Sequence, residues 1–233
     1  MIVGEQKPLA EIMELLGIGN EAADGKKVLV AGCGTCVTVC FAGGEKEVGV
    51  LASTLRMKSE LEGHPIEVDE VTVQRQCEWE YIDPLKEQLK EYDVVLSLAC
   101  GIGVQAMNER FPETLTLPGL NTTGLSLPEE QGVWEERCQA CGDCILGITF
   151  GICPIARCSK QLLNGPCGGS QDGVCEVDSD IPCAWQLIWD RAIAFGQEER
   201  LIEFQPPKDW SQSRDGGPRK IVREDLQLER EVE

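Results

Sequence analysis

Cysteine is the residue type in this chain with chemistry to do. Thirteen occur in 233 residues, eight of them between 138 and 183 and five between 33 and 100. Cys138, Cys141 and Cys144 stand at two-residue gaps in CQACGDC, and Cys153 follows directly before Pro154. Two-residue gaps let successive thiolates turn inward around one inorganic core, and in ferredoxins the cysteine before the proline serves a second cluster. The gap before Cys153 is eight residues, much longer than in ferredoxins, so the likeness is one of kind only.

Cys158, Cys167, Cys175 and Cys183 complete the eight. Eight thiolates suffice for two [4Fe–4S] clusters, or for one cluster and a four-thiolate zinc site. The first trio is expected to take its fourth ligand late in the segment, at Cys183, which leaves Cys153, Cys158, Cys167 and Cys175 together. A zinc-only set is the alternative, since paired C-x-x-C ribbons also use short gaps. The C-x-x-C-x-x-C triple favours the cubane, because zinc sites take ligands as two separated pairs.

A second constellation consists of Cys33, Cys36 and Cys40 in GCGTCVTVC, with Cys77 and Cys100. Cys33 follows the apolar run KVLVA, Cys77 follows EVTVQ, and Cys100 ends DVVLSLA. Loops at the carboxyl ends of parallel strands converge, so these thiolates are expected in one pocket, four of them holding a further cluster or a zinc and the fifth left over.

The elements that must position these sulfurs follow from periodicity. Strands are predicted at 27–31, 70–74, 93–99 and, more weakly, 114–117, with helices at 8–16, 44–61, 84–91 and 104–110. Pro84 suits a first helical turn, where its missing N–H has no partner to lose. Strand, helix, strand at this spacing implies a small parallel, Rossmann-like α/β domain. Beyond 121 the chain turns to Gly, Pro and Cys, with little periodicity until a buried helix at 184–195. Such a segment cannot hold itself by an apolar core, so it reads as metal-stapled and ferredoxin-like. The expected division is 1–125, the α/β domain with its strand-end cysteine site; 126–196, the cysteine-rich iron–sulfur segment; and 197–233, a charged extended tail.

Composition narrows the function. Forty acidic residues against 21 basic give a net charge of −19, which repels nucleic acids and anionic membranes. No run approaches the roughly 20 apolar residues that span a bilayer, and the N-terminus lacks a basic segment leading into an apolar one, which predicts a cytoplasmic chain. An odd cysteine count in C-x-x-C steps argues for reduced, metal-binding thiols over disulfides. AGCGTC is not G-x-G-x-x-G and CGIGVQ has only a G-x-G, so dinucleotide binding is not expected. The glycines instead let backbone N–H groups approach cluster sulfurs. The sole histidine, His64, precedes a proline in a polar loop and is expected to be an ordinary surface residue, which removes a His-dependent hydrolase.

With these residues in view, the run GDCILGITFGICPIARCSKQLLNGPCGGSQDGVCEV, with NGPCGG at 164–169, resembles the cysteine-rich C-terminal region associated with bacterial methylenetetrahydrofolate reductases. That region also occurs as a separate, MetV-type small subunit beside a flavin-containing catalytic subunit, and GCGTCVTVCFAGGEKEV and LACGIGVQ are similar to the same subunit. The resemblance implies a cytoplasmic, heteromeric oxidoreductase of one-carbon metabolism, in which the partner's flavin barrel reduces the folate and this subunit, itself not catalytic, transfers electrons. It puts Cys138, Cys141, Cys144, Cys153, Cys158, Cys167, Cys175 and Cys183 on the family's metal-binding stretch, and Cys33, Cys36, Cys40, Cys77 and Cys100 on its N-terminal site. Two or three [4Fe–4S] clusters are then expected, with zinc as the alternative at one site, and further electron-transfer subunits as added partners. At 233 residues the chain is shorter than the roughly 250 of a (β/α)8 barrel, which agrees with an accessory subunit.

Overall fold

The structure, a computed structural model, describes residues 1–214 and 217–227. The chain divides into two compact units, Met1–Glu135 and Glu136–Glu233.

The first unit is built on a parallel sheet of four strands: β2 (Lys27–Cys33), β3 (Glu67–Val73), β4 (Val94–Ser97) and β5 (Thr116–Pro118), in the order β3-β2-β4-β5. β2 is buried at every position after Lys27, as a central strand covered on both faces must be. Its side chains alternate between two cores. Val28 and Val30 pack with Val48, Leu51, Ala52 and Leu55 of α3 (Glu45–Leu61) and with Ile12 and Leu16 of α1 (Leu9–Leu16). Leu29, Ala31 and Val95 pack on the opposite face with Ile82, Leu85, Leu89, Met107 and Phe111. This period of two, with helices on both faces, is the expected parallel α/β layer architecture.

The helices start and stop for local reasons. The Gly44 N–H donates to the Glu47 carboxylate at 2.9 Å, which satisfies an orphan donor at the start of α3. The helix predicted at 84–91 is instead a short α4 (Trp79–Ile82) followed by 3₁₀ turns at Asp83–Leu85 and Gln88–Glu91. Pro84 lacks the N–H that an α-helical i→i−4 ladder would need there. The helix at 104–110 begins earlier, as α5 (Gly101–Arg110), with Cys100 as its N-cap residue.

A second sheet departs from the sequence reading. β1 (Ile2–Gln6) pairs antiparallel with β6 (Leu120–Glu130), which is joined by β7 (Val133–Glu136). β6 is exposed at most of its positions, so it carries no apolar alternation to announce a strand. The boundary expected at 125 falls inside β6, and the units divide between Glu135 and Glu136.

Among its described residues the second unit has two α-helices, α6 (Pro154–Arg157) and α7 (Ala184–Ala194), joined by turns and short 3₁₀ segments. Ile152, Trp185 and Ile188 form a small buried apolar cluster in it, with the Trp185 indole N–H donating to the Leu162 carbonyl at 2.9 Å. The tail begins with a 3₁₀ turn at Glu198–Leu201 and a further turn at Trp210–Gln212. The parts of the tail at 215–216 and 228–233 lie outside the described residues. Among the described residues no helix is long and apolar enough to cross a membrane.

Candidate metal-binding sites

In the first unit the sheet changes direction between β2 and β4: β2 runs to β3 on one side, and the chain then crosses to β4 on the other. Open parallel sheets bind ligands at the carboxyl edge of such a switch point. Cys33 is the last residue of β2, and Cys100 lies just beyond β4 at the start of α5. Cys77 follows β3 on a loop held by Gln76, whose side chain is wholly buried. The Gln76 amide donates to the Ala31 and Gly32 carbonyls at 2.9 and 3.0 Å, and its oxygen accepts the Ser97 hydroxyl at 2.6 Å. One side chain thus ties the Cys77 loop to the ends of β2 and β4. Sequence reasoning passed over Gln76 and Ser97, although a serine inside VVLSLA and a glutamine beside a cysteine were the signals.

The three sulfurs influence one another. Desolvation of its sulfur pushes the Cys77 thiol above the usual range even though the residue as a whole is exposed, and the neighbouring Cys33 and Cys100 push it further. A thiol that resists ionising beside two others suits a bound cation, which reverses that preference. Gly43 sets the floor of the site: its N–H and that of Ala42 bond back to Val37, its carbonyl accepts the Cys33 N–H at 2.9 Å, and a Cβ there would lie 1.8 Å from the Leu98 carbonyl oxygen. Cys36 opens the short α2 (Cys36–Val39) and is half-buried. Cys40 is buried with its sulfur bonded into β1, accepting the Gly4 N–H at 3.4 Å and lying 3.6 Å from the Val37 carbonyl. His64 pairs with the exposed Asp24 at 3.0 Å, the ordinary surface role expected of it.

In the second unit Cys158, Cys167, Cys175 and Cys183 line one small cavity of about 20 Å³, together with Arg157, Lys160 and Trp185. This differs from the grouping expected from spacing, which gave Cys183 to the first trio and Cys153 to this set. A tight reversal of the chain is the reason. Cys175 N–H donates to Ile181 O and Cys183 N–H to Gly173 O, both at 2.8 Å, with a bridge between Val174 and Pro182 that folds Cys183 back beside Cys175. Cys153 caps α6. The Ser159 hydroxyl, then backbone N–H groups and Lys160, hold the Cys175 thiol below its ordinary value.

Both loops aim backbone donors at sulfur. Ala140 N–H points to Cys138 Sγ and Gly169 N–H to Cys167 Sγ, each at 3.4 Å and each two residues on. N–H groups placed this way stabilise a ligating thiolate. Ala140 adopts φ 50° to do so, a left-handed conformation that a residue with a Cβ takes at a cost of about 1–2 kcal/mol. Among the described residues no three His, Cys, Asp or Glu side chains are drawn close enough to hold a metal as they stand. The donor chemistry nevertheless fits a thiolate-bound metal or cluster: four thiols on one cavity, sulfur-directed N–H groups, and an apolar core too small to hold the unit alone.

No curated protein and no solved structure matches the chain. Residues 117–211 match the model of a family described as methylene-tetrahydrofolate reductase C terminal. That stretch contains all eight cysteines from Cys138 to Cys183 and none of the five in the parallel-sheet site. Over residues 117–211 the chain is thus similar to the C-terminal family of methylene-tetrahydrofolate reductases.

Proposed function

We propose that this chain is a cytoplasmic iron–sulfur accessory subunit of the MetV type, passing electrons to or from the flavin of a separate catalytic methylenetetrahydrofolate reductase subunit. The observation that carries the reading is the single cavity lined by Cys158, Cys167, Cys175 and Cys183, inside the stretch that matches the reductase family. Those four residues would hold one group, Cys138, Cys141 and Cys144 supply three thiolates for another, and Cys33, Cys77 and Cys100 supply three for a site in the α/β unit. A cubane cluster so held supplies one-electron acceptance and release, which a flavin can convert into the two-electron reduction of a folate. The residues of this chain do the rest. Ala140 and Gly169 direct N–H groups at ligand sulfurs, and Ser159 and Lys160 favour the Cys175 thiolate over its thiol. The net charge of −19 disfavours adding an electron and so pushes potentials down, as suits a donor.

Anaerobic purification followed by iron, zinc and sulfide analysis and dithionite titration tests this. Iron with equivalent labile sulfide, bleached by dithionite, is the expected result, together with copurification of a flavoprotein. A zinc-stapled structural subunit is the second reading, favoured by the small apolar core of the second unit, which leaves cross-linking to metal. Colourless protein with zinc and no sulfide would select it and end the electron-transfer reading.

A further inference from the structure

The tail crosses both cysteine loops of the second unit. At its start, Gln205 is gripped by Asn164, the first residue of NGPCGG: the Asn164 amide donates to Gln205 O at 2.7 Å and accepts Gln205 N–H at 3.2 Å. Lys208 then enters the loop of Cys138, Cys141 and Cys144. Its side chain is 2% exposed, and its ammonium donates to the Asp143 carbonyl at 2.6 Å and faces the Asp143 carboxylate at 3.5 Å. The Cys141 thiol reaches the same carbonyl, at 3.8 Å. Lysine is almost never this buried unless its desolvation is repaid, and the half-exposed Asp143 and the Trp210 ring, 5.4 Å from the ammonium, supply part of the repayment. Thiolates in that loop would complete it.

Further along, Gln212 lies on Gly142. With φ +86° and a Cβ that would stand 2.1 Å from the Gln212 carbonyl oxygen, position 142 admits only glycine while the tail is docked. Arg219 closes the crossing by donating to the Gln212 carbonyl and, at 3.4 Å, to the Ala140 carbonyl. Ser213 is buried beside this turn.

We infer that residues 205–214, with Arg219, are a strap that holds the Cys138–Cys141–Cys144 loop in its ligating shape, with Lys208 as the positioning residue. The strap gives a use to a stretch expected from sequence to be a charged, extended tail. It rests on the proposed function only in that the loop binds a metal or cluster; zinc and iron–sulfur serve equally.

The test uses the full chain, purified anaerobically, in four forms: wild type, Lys208→Met, Lys208→Arg and Gly142→Ala. Each is exposed to a chelator and an alkylating reagent, and modification of every cysteine is followed by mass spectrometry. Lys208→Met and Gly142→Ala should speed modification of Cys138, Cys141 and Cys144 by about tenfold or more, the loss expected for one buried charge-assisted hydrogen bond. Cys158, Cys167, Cys175 and Cys183 should keep the wild-type rate, and Lys208→Arg should restore most of the protection. Rates at Cys138, Cys141 and Cys144 that change by less than twofold in both Lys208→Met and Gly142→Ala would overturn the strap. Wild-type protein that carries no metal would instead defeat the proposed function. The same alkylation series on that metal-free chain would still decide the strap, because the Lys208 and Gln212 contacts are made to the protein itself.

Discussion

Replacing Gln76 with methionine tests whether one buried amide organises the cysteine site of the α/β unit. Methionine keeps nearly the same volume and flexibility, so the cavity cost of a truncation is avoided. Three hydrogen bonds disappear: two from the amide to the Ala31 and Gly32 carbonyls and one from the Ser97 hydroxyl. At a net worth of about 0.5–1.5 kcal/mol each, the loss is about 2–4 kcal/mol, a large share of the roughly 5–15 kcal/mol that holds a domain together. Amides of β2 and β4 that exchange through global opening should then exchange about 30- to 1,000-fold faster, since about 1.4 kcal/mol is a factor of ten. Hydrogen exchange on peptides covering 27–33 and 94–100 reads this directly. A double-mutant cycle with Ser97→Ala should return a coupling of about 1 kcal/mol, because the two side chains touch. Exchange altered by less than about threefold, or additive effects of the two substitutions, would refute the claim that this network ties the Cys77 loop to the strand ends.

Other outcomes are equally direct. Gly43→Ala would drive a methyl into the Leu98 carbonyl oxygen, 1.8 Å away, and should cost more than about 3 kcal/mol, seen as a collapse of the urea midpoint. In metal-free protein the Cys77 thiol, raised first by desolvation, binds its proton more tightly folded than unfolded. Its share of stability is therefore full below the ordinary thiol value and lost as pH rises through the folded one, and Cys77→Ala should remove that alkaline decline from a urea series. Cys175, lowered first by Ser159, should alkylate at lower pH than Cys77, and Ser159→Ala should narrow the difference. Chelation should unfold the second unit before the first, because its apolar core is much smaller than the cores on either face of the parallel sheet, and circular dichroism should lose the 184–194 helix while that sheet persists.

What could be read from the residues was local. The buried run at 27–33, the α3 stripe of Val48, Leu51, Ala52 and Leu55, and the 184–194 helix all follow from short-range periodicity, which repeats within a few residues. Placing Cys33, Cys77 and Cys100 at the ends of parallel strands needed only that periodicity and the rule that such ends converge. The antiparallel sheet was not legible, since Ile2–Gln6 finds Leu120–Glu130 across the whole unit and neither strand alternates clearly.

Cysteine spacing likewise announced thiolate chemistry and could not say which thiols share a site. The 173–183 reversal brings Cys183 to the cavity that Cys158, Cys167 and Cys175 also line, through backbone hydrogen bonds that leave no mark in the spacing. Lys208 and Gln212, read as parts of a polar tail, gain their meaning only where they meet Asp143 and Gly142. Residue type and local period set what each segment can do alone. Pairings between distant segments depend on which closures the whole chain can make at once, and the tertiary structure alone supplied those.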